Sequence, residues 1–518
     1  MHFHRGKLQT THLPTIMSLN AQERLALKAL PVAAQGWAER AIGDSLEHLG
    51  KLSSAIPHLK QHLDVLVPVF HIHLDPSRVP KKIEQGVVNN IMLAKLSIIS
   101  IACMCSLNAA VDDELFEEAL ASKSHVHLPW LLFFHHHFLL QPSDTYSSMA
   151  GLSVTKGEAV AVVQQALISS CEAQHLAEPA TNQHFGTFSH GLKKILAQLW
   201  CIVINLKHDV SLADDVGRNV VMSLRTTVFA FVLNGLALPT AGCSPFIDLV
   251  GGQAPMASIS LKHVRQLAGQ ARNLCTLQPV DELEAETAQI AAAFQHCMNI
   301  MVLCSRQDPS IREELISIGS ISVVVTALSQ IWPRVLVEIP GRQRRFYPPY
   351  EQPMAGLTFR RTGLYGGYRY VSLALVCADD DVSSVCEALR FRILDAILQT
   401  GVLASEGVEP KGRDDEDLEI LRILPRFFIY DRVVTATAMS LERISSRGLE
   451  KHAQRDVQLW KCWTYFKDVA HAHINLQKKA KATTAPSDRC SGPDAMPSSG
   501  GYPATSPVLG VSDCLVLL

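Results

Sequence analysis

Apolar and polar positions along this chain recur with the period of an α-helix. In AAQGWAERAIGDSLEHLGKLSSAI, Trp37, Ile42, Leu46 and Leu49 are three to five residues apart, which places them on one helical face. That run closes at Pro57. Upstream, Asn20 precedes AQERLALKAL with Glu23 three residues on, the spacing of a reciprocal cap. LKQHLDVLVPVFHIHL follows, with a break or kink expected at Pro68. DDELFEEALASKSHVHLPWLLFFHHHFLL has an acidic helix start and an apolar second half. Residues 155–173, 192–205 and 217–238 read as helices of ordinary length, and 260–304 continues the pattern. Residues 241–257, rich in Gly and Pro, read as a loop.

Two later stretches pair helices around a glycine. In DPSIREELISIGSISVVVTALSQIWP one helix ends at Gly319, and the next carries Val323, Val324 and Leu328 on one face. A glycine there suits a left-handed C-cap and a sharp return of the chain. SSVCEALRFRILDAILQTGVLASEG repeats the arrangement, with Gly401 in the place of Gly319. Both stretches resemble armadillo-type repeats, in which stacked helix pairs share a continuous core. The expected fold is therefore all-α. It comprises a flexible tail over 1–14, an armadillo-like helical array over 15–482 and a disordered C-terminal tail over 483–518, where Pro, Ser, Gly and Thr dominate.

An irregular loop is expected to interrupt the array at about 334–370. It contains Pro348 and Pro349, and its aromatics alternate with Arg342, Arg344, Arg345, Arg360 and Arg361. The expected role is a surface loop packing its own aromatics, with a nucleic-acid patch over 341–370 as the alternative. LYGGYRY lacks the spacing of a phosphate loop.

Composition narrows the class. Of 518 residues, 47% are hydrophobic and 19% charged, enough to build a large core, and the net charge of -2 gives no general attraction to nucleic acid or membranes. The 13 cysteines lie mostly in apolar runs, as Cys103, Cys105, Cys201 and Cys304 do. Buried thiols of a reducing compartment explain them better than disulfides. The opening residues lack the apolar core of a secretory signal, so an intracellular place, cytoplasm or nucleus, is expected. The apolar run over 91–111 is interrupted by Lys95 and Asn108 and reads as a buried helix; no membrane partner is expected.

Chemistry-bearing patterns are sparse. His135, His136 and His137 splay around a helix, whereas a metal site needs two histidines facing one way. His71 and His73 would converge only on an extended segment. The acidic runs 379–381 and 414–417 read as solvated loops and helix starts. GxSxG, HExxH and GxGxxG are absent, so an enzyme is not expected.

The C-terminal third contains ALRFRILDAILQTGVL, ILPRFFIYDRVV and WKCWTYFKDVAHAHINLQKKAK, followed by RCSGPDA and VSDCLVLL. The first three resemble the segments that precede the finger in fungal MYND-type zinc finger proteins, and the last two resemble the opening of the finger. The resemblance makes Cys490 the first zinc ligand and Cys514 the fourth, with Ala495 and Val511 where further cysteines belong. Two ligands cannot close a tetrahedral site, so zinc is expected only where the finger is complete. What the resemblance implies is a non-enzymatic protein-interaction scaffold that binds a protein or peptide partner; nucleic acid is not an expected partner. An enzyme or regulator with an unrecognised site is the alternative. Motifs of the SET methyltransferase domain carried by some relatives are missing.

Overall fold

The first helix forms where the capping signal lies. Asn20 Oδ1 accepts from the Glu23 amide at 2.8 Å, and the Glu23 carboxylate accepts from the Asn20 amide at 2.8 Å. Two backbone donors at the start of α1 (Ala21–Ala26) are thereby satisfied. The computed structural model describes residues 19–108, 127–141, 145–148, 151–177, 190–206, 212, 215–236, 243–273, 280–335, 354–377, 382–401 and 416–484.

After α1 come α2 (Val32–Ile42), α3 (Leu46–Ala55), α4 (Leu63–His73) and α5 (Val88–Asn108). Helix α2 lies on α3 and α4, which both lie on α5. Pro68 sits inside α4 and does not end it. Nearly every side chain from Val65 to His73 is buried, and that burial offsets the missing backbone bond. Next are α6 (His127–Phe134), a π-helical turn over His135–Leu139, and a short antiparallel hairpin of β1 (Thr145–Ser147) and β2 (Ser153–Thr155), with Tyr146 opposite Val154.

The centre contains α7 (Lys156–Ala177), α8 (His190–Leu206), α9 (Asp215–Leu236), α10 (Ser244–Val250), α11 (Gln253–Asn273) and α12 (Val280–Gln307). Then come α13 (Pro309–Ser317), α14 (Ser320–Val335), α15 (Met354–Val376), α16 (Val382–Arg390) and α17 (Ile393–Gln399). The described chain ends with α18 (Glu416–Ile423), α19 (Asp431–Arg447), α20 (Glu450–Ala453) and α21 (Val457–Thr484).

From α5 onward the helices stand in two rows. One row runs α5, α7, α9, α12, α15, α18, α21, each touching the next. The other runs α8, α11, α14, the α16–α17 pair and α19. The rows meet where α8 lies on α9, α11 on α12, α14 on α15 and α19 on α21. The core fills the seam between them, with Trp200, Phe229, Phe294, Tyr368 and Trp463 fully buried. The fold is all-α, as expected.

Several elements correct the sequence reading. The expected loop at 334–370 is helical wherever it is described: α14 runs to Val335 and α15 begins at Met354. Its glycines serve close helix packing. A Cβ on Gly366 would lie 3.0 Å from Met298 Cβ of α12, and one on Gly367 would lie 2.8 Å from Leu328 Cδ2 of α14. The expected loop over 241–257 is mostly α10 and the start of α11, separated by Gly251 and Gly252 at φ 105° and 107°. Gly319 does turn the chain between α13 and α14, at φ 79°. Gly401 is not its counterpart. The left-handed residue between α16 and α17 is Arg392, at φ 76°, while Gly401 lies against the backbone of His452. The sequence also reads as a single terminal helix over about 450–482, but it is interrupted: Asp456 caps a fresh start by accepting from the Gln458 and Leu459 amides at 2.9 and 3.0 Å.

The 18-residue stretch Val88–Cys105 of α5 is long and apolar enough to cross a membrane, by length and composition. Half of it is buried inside the structure, and its Lys95 pairs with Glu158 of α7.

Candidate functional site

Among the described residues, a groove lined by concentrated positive charge lies on the second row. Helix α11 presents Arg265 and Arg272, seven residues apart and so on one face, with Ala268 and Gly269 between them. The small pair leaves a cleft of about 370 Å³ against Ser322, Val323, Thr326 and Gln330 of α14, bounded at one end by Phe391. The neighbouring cleft, about 400 Å³, lies between α16 and α19. Cys386 and Arg390 line one side, and Arg432, Thr435, Ala436, Met439 and Arg443 line the other. Arg390 lines one cleft and Phe391, the next residue, lines the other, so the two clefts flank the α16–α17 joint and are together called the groove.

Five arginines line this groove against one carboxylate, Asp431. Arg265, Arg390 and Arg432 are exposed and form no ion pair among the described residues. Arg443 is fixed from beneath by Asp395 of α17: its Nη2 donates to Oδ1 at 3.0 Å and its Nε to both oxygens at 3.3 Å. Arg447 reaches the same carboxylate at 3.5 Å. Asp395 is almost wholly buried, so it anchors α17 to α19 through charge-assisted bonds. Asp395→Ala is expected to cost about 1.5–3 kcal/mol, seen as a lower urea midpoint at unchanged slope. An unchanged midpoint would refute the anchor.

The histidines do not assemble a site. His71 and His73 lie on helical α4 and are both buried, so the extended geometry that would bring them together is absent. In the π-helical turn His135 is buried and His137 is packed on Phe133 at 4.8 Å between ring centroids. Among the described residues no three His, Cys, Asp or Glu side chains group in a way that could hold a metal ion. Cys490 and Cys514 lie outside the described residues, as do 336–353 and with them Arg342, Arg344 and Arg345. Of the 341–370 stretch, two described aromatics are committed to the core. Tyr368 and Tyr370 are fully buried, and the Tyr370 hydroxyl donates to Ser320 Oγ at 2.7 Å.

Buried histidines set an acid limit instead. Burial pushes His263 down to about 3, opposed by its Nε2–H donating to the Trp200 carbonyl at 2.9 Å. Burial and the nearby Arg78 charge hold His73 at about 4, against the pull of Asp44, and burial with neighbouring His136 holds His135 at about 4. Each is neutral when folded and gains a proton on unfolding once the pH falls below its ordinary value of about 6.5. Stability is therefore lost as pH falls from about 6.5 toward 4, by roughly 1.4 kcal/mol per unit for each histidine. Urea midpoints should fall with increasing steepness below pH 6.5; midpoints constant down to pH 5 would contradict this.

A third cleft, about 480 Å³, lies between α18 and α21 and is lined by Leu418, Leu421, Arg422, Lys461, Cys462 and Tyr465, among others. Its charge is weaker and it stands apart from the groove. Comparison of the chain with protein-family models, with curated proteins and with solved structures gives no match in any of the three.

Sequence reasoning did not find the groove, although each helix held a signal. Arg265 and Arg272 are two turns apart, and Arg432 and Arg443 three turns apart. What the sequence could not supply is the neighbour relation of α11, α14, α16 and α19.

Proposed function

We propose that this chain is a non-enzymatic protein-interaction scaffold whose two-row helical array is armadillo-like. The observation that carries this reading is the open groove along α11, α14, α16 and α19. It crosses successive helices of one row, as an extended ligand site on stacked helix pairs does. Its polar groups are spread along the groove and do not converge on one point, whereas an active site would gather a nucleophile, a base and an oxyanion donor within hydrogen-bond reach. The resemblance of the C-terminal third to fungal MYND-type proteins is consistent with an interaction role. Zinc belongs to the proposal only for a complete finger, with Cys490 as its first ligand and Cys514 as its fourth.

Site-specific photo-crosslinking tests the reading. A photoreactive residue replaces Thr326 or Ala436 in the groove, or exposed Gln307 or Lys478 away from it, and captured proteins are purified and assayed for direct binding. The expected result is capture at Thr326 and Ala436 of a protein that binds the purified chain. Capture equal at all four positions, or a captured protein that does not bind when purified, would remove the proposal.

A further inference from the structure

We infer that the groove on the second row takes an extended acidic segment of a partner protein, with Arg265, Arg390 and Arg432 as the primary carboxylate contacts. The inference rests on the interaction reading above and adds the chemistry of the partner.

The lining charge is one-sided, in a chain whose overall charge is slightly negative. The arginines are therefore concentrated here and do not reflect a generally basic surface. All the basic side chains in the lining are arginines, whose planar fork matches a carboxylate in a two-bond geometry that lysine cannot reproduce. They stand beside apolar side chains, the half-buried Val323 and Ala436 and the exposed Met439 and Phe391, which offer contact to apolar residues of a ligand. Arg265, Arg390 and Arg432 have no internal acid to displace, and Arg443 is pre-oriented by Asp395.

Length follows from the row. Four helices at spacings of about 8–10 Å span roughly 25–30 Å. An extended strand rises about 3.3 Å per residue, so a segment that reaches both clefts is about eight or nine residues long. Acids recurring among apolar residues would match arginines set beside these apolar side chains. A nucleic acid fits less well: among the described lining residues Phe391 is the one aromatic, so these offer successive bases no row of stacking platforms.

The test is fluorescence anisotropy with the whole chain and a labelled peptide of about nine residues repeating Asp-Leu-Glu. Its neutral Asn-Leu-Gln counterpart and a thymidine oligonucleotide of matching charge serve as comparisons. The expected result is saturable binding of the acidic peptide that weakens with salt. It should fall at least tenfold in R390E/R432E and in R265E, but not in K478E, with melting temperatures within a few degrees of one another. Absence of saturable binding at low salt, equal binding of the neutral peptide, or tighter binding of the oligonucleotide would each overturn the inference. If that happens while groove crosslinks persist, the partner chemistry is wrong and the interaction reading stands. If crosslinks are not concentrated in the groove, the interaction reading itself fails.

Discussion

Gly401→Ala is expected to separate α17 from α20 and destabilise the C-terminal end of the array by about 3 kcal/mol or more. A Cβ at this position would overlap the His452 carbonyl oxygen and lie 2.8 Å from its carbon and 3.0 Å from Ala453 Cα. All three atoms are backbone, so no rotamer change relieves the clash. Inserting a methyl group into a tight core ordinarily costs about 1–3 kcal/mol, and a rigid obstacle raises that. Gly50→Ala is the matched control, because nothing lies within 4 Å of its added Cβ and it sits inside α3. It should be neutral, or stabilising by up to about 1 kcal/mol. Amide hydrogen exchange locates the damage: protection should fall in α17 to α21 for Gly401→Ala and be retained in α7 to α9. Wild-type protection throughout would show that α17 and α20 do not approach as described.

Trp200→Ala should have a comparable effect at the centre. The Trp200 ring is fully buried on α8, 4.6 Å from the Phe229 ring and 4.6 Å from the His263 ring, with Phe246 at 6.5 Å. It thus joins α8, α9, α10 and α11 in one aromatic cluster. Large-to-small changes of this kind cost about 3–5 kcal/mol, part of it from the cavity left behind. Because stability in stacked arrays is built up between neighbours, unfolding should become multiphasic, with the centre melting before the ends. A single transition lowered by less than 1 kcal/mol (about the cost of a surface change) would contradict the packing of this cluster.

The helical class was legible because its signal is local. Periodic apolar positions, the Asn20 cap and the Gly319 joint each depend on residues within one or two turns; the cap and the joint appear as read, while the run from Trp37 to Leu49 is divided between α2 and α3 by a turn with Asp44 at φ 66°. Three local readings meet one limit. Gly366 and Gly367, Pro68, and the Gly and Pro of 241–257 carry a local meaning of turn, break or kink. In the folded chain, close approach to α12 and α14 and burial of α4 keep two of these stretches helical, and only Gly251 and Gly252 turn. Gly401 shows the same limit from the other side. Its spacing resembles a helix joint, yet the left-handed residue is Arg392, and the glycine is needed because another backbone passes it. The groove was the least legible feature. Its arginines come from helices far apart in sequence, and stacking order alone makes them neighbours. Cys490 and Cys514 lie outside the described residues, so their part rests on the resemblance.

The most direct test of the central claim, that the second row is the face a partner covers, is amide hydrogen exchange on the chain alone and saturated with the groove-crosslinked protein. The account predicts slower exchange in α11, α14, α16 and α19, with α5, α7 and α9 unchanged. Slowing confined to α5, α7 and α9, or to the α18–α21 cleft, would place the partner elsewhere and contradict it.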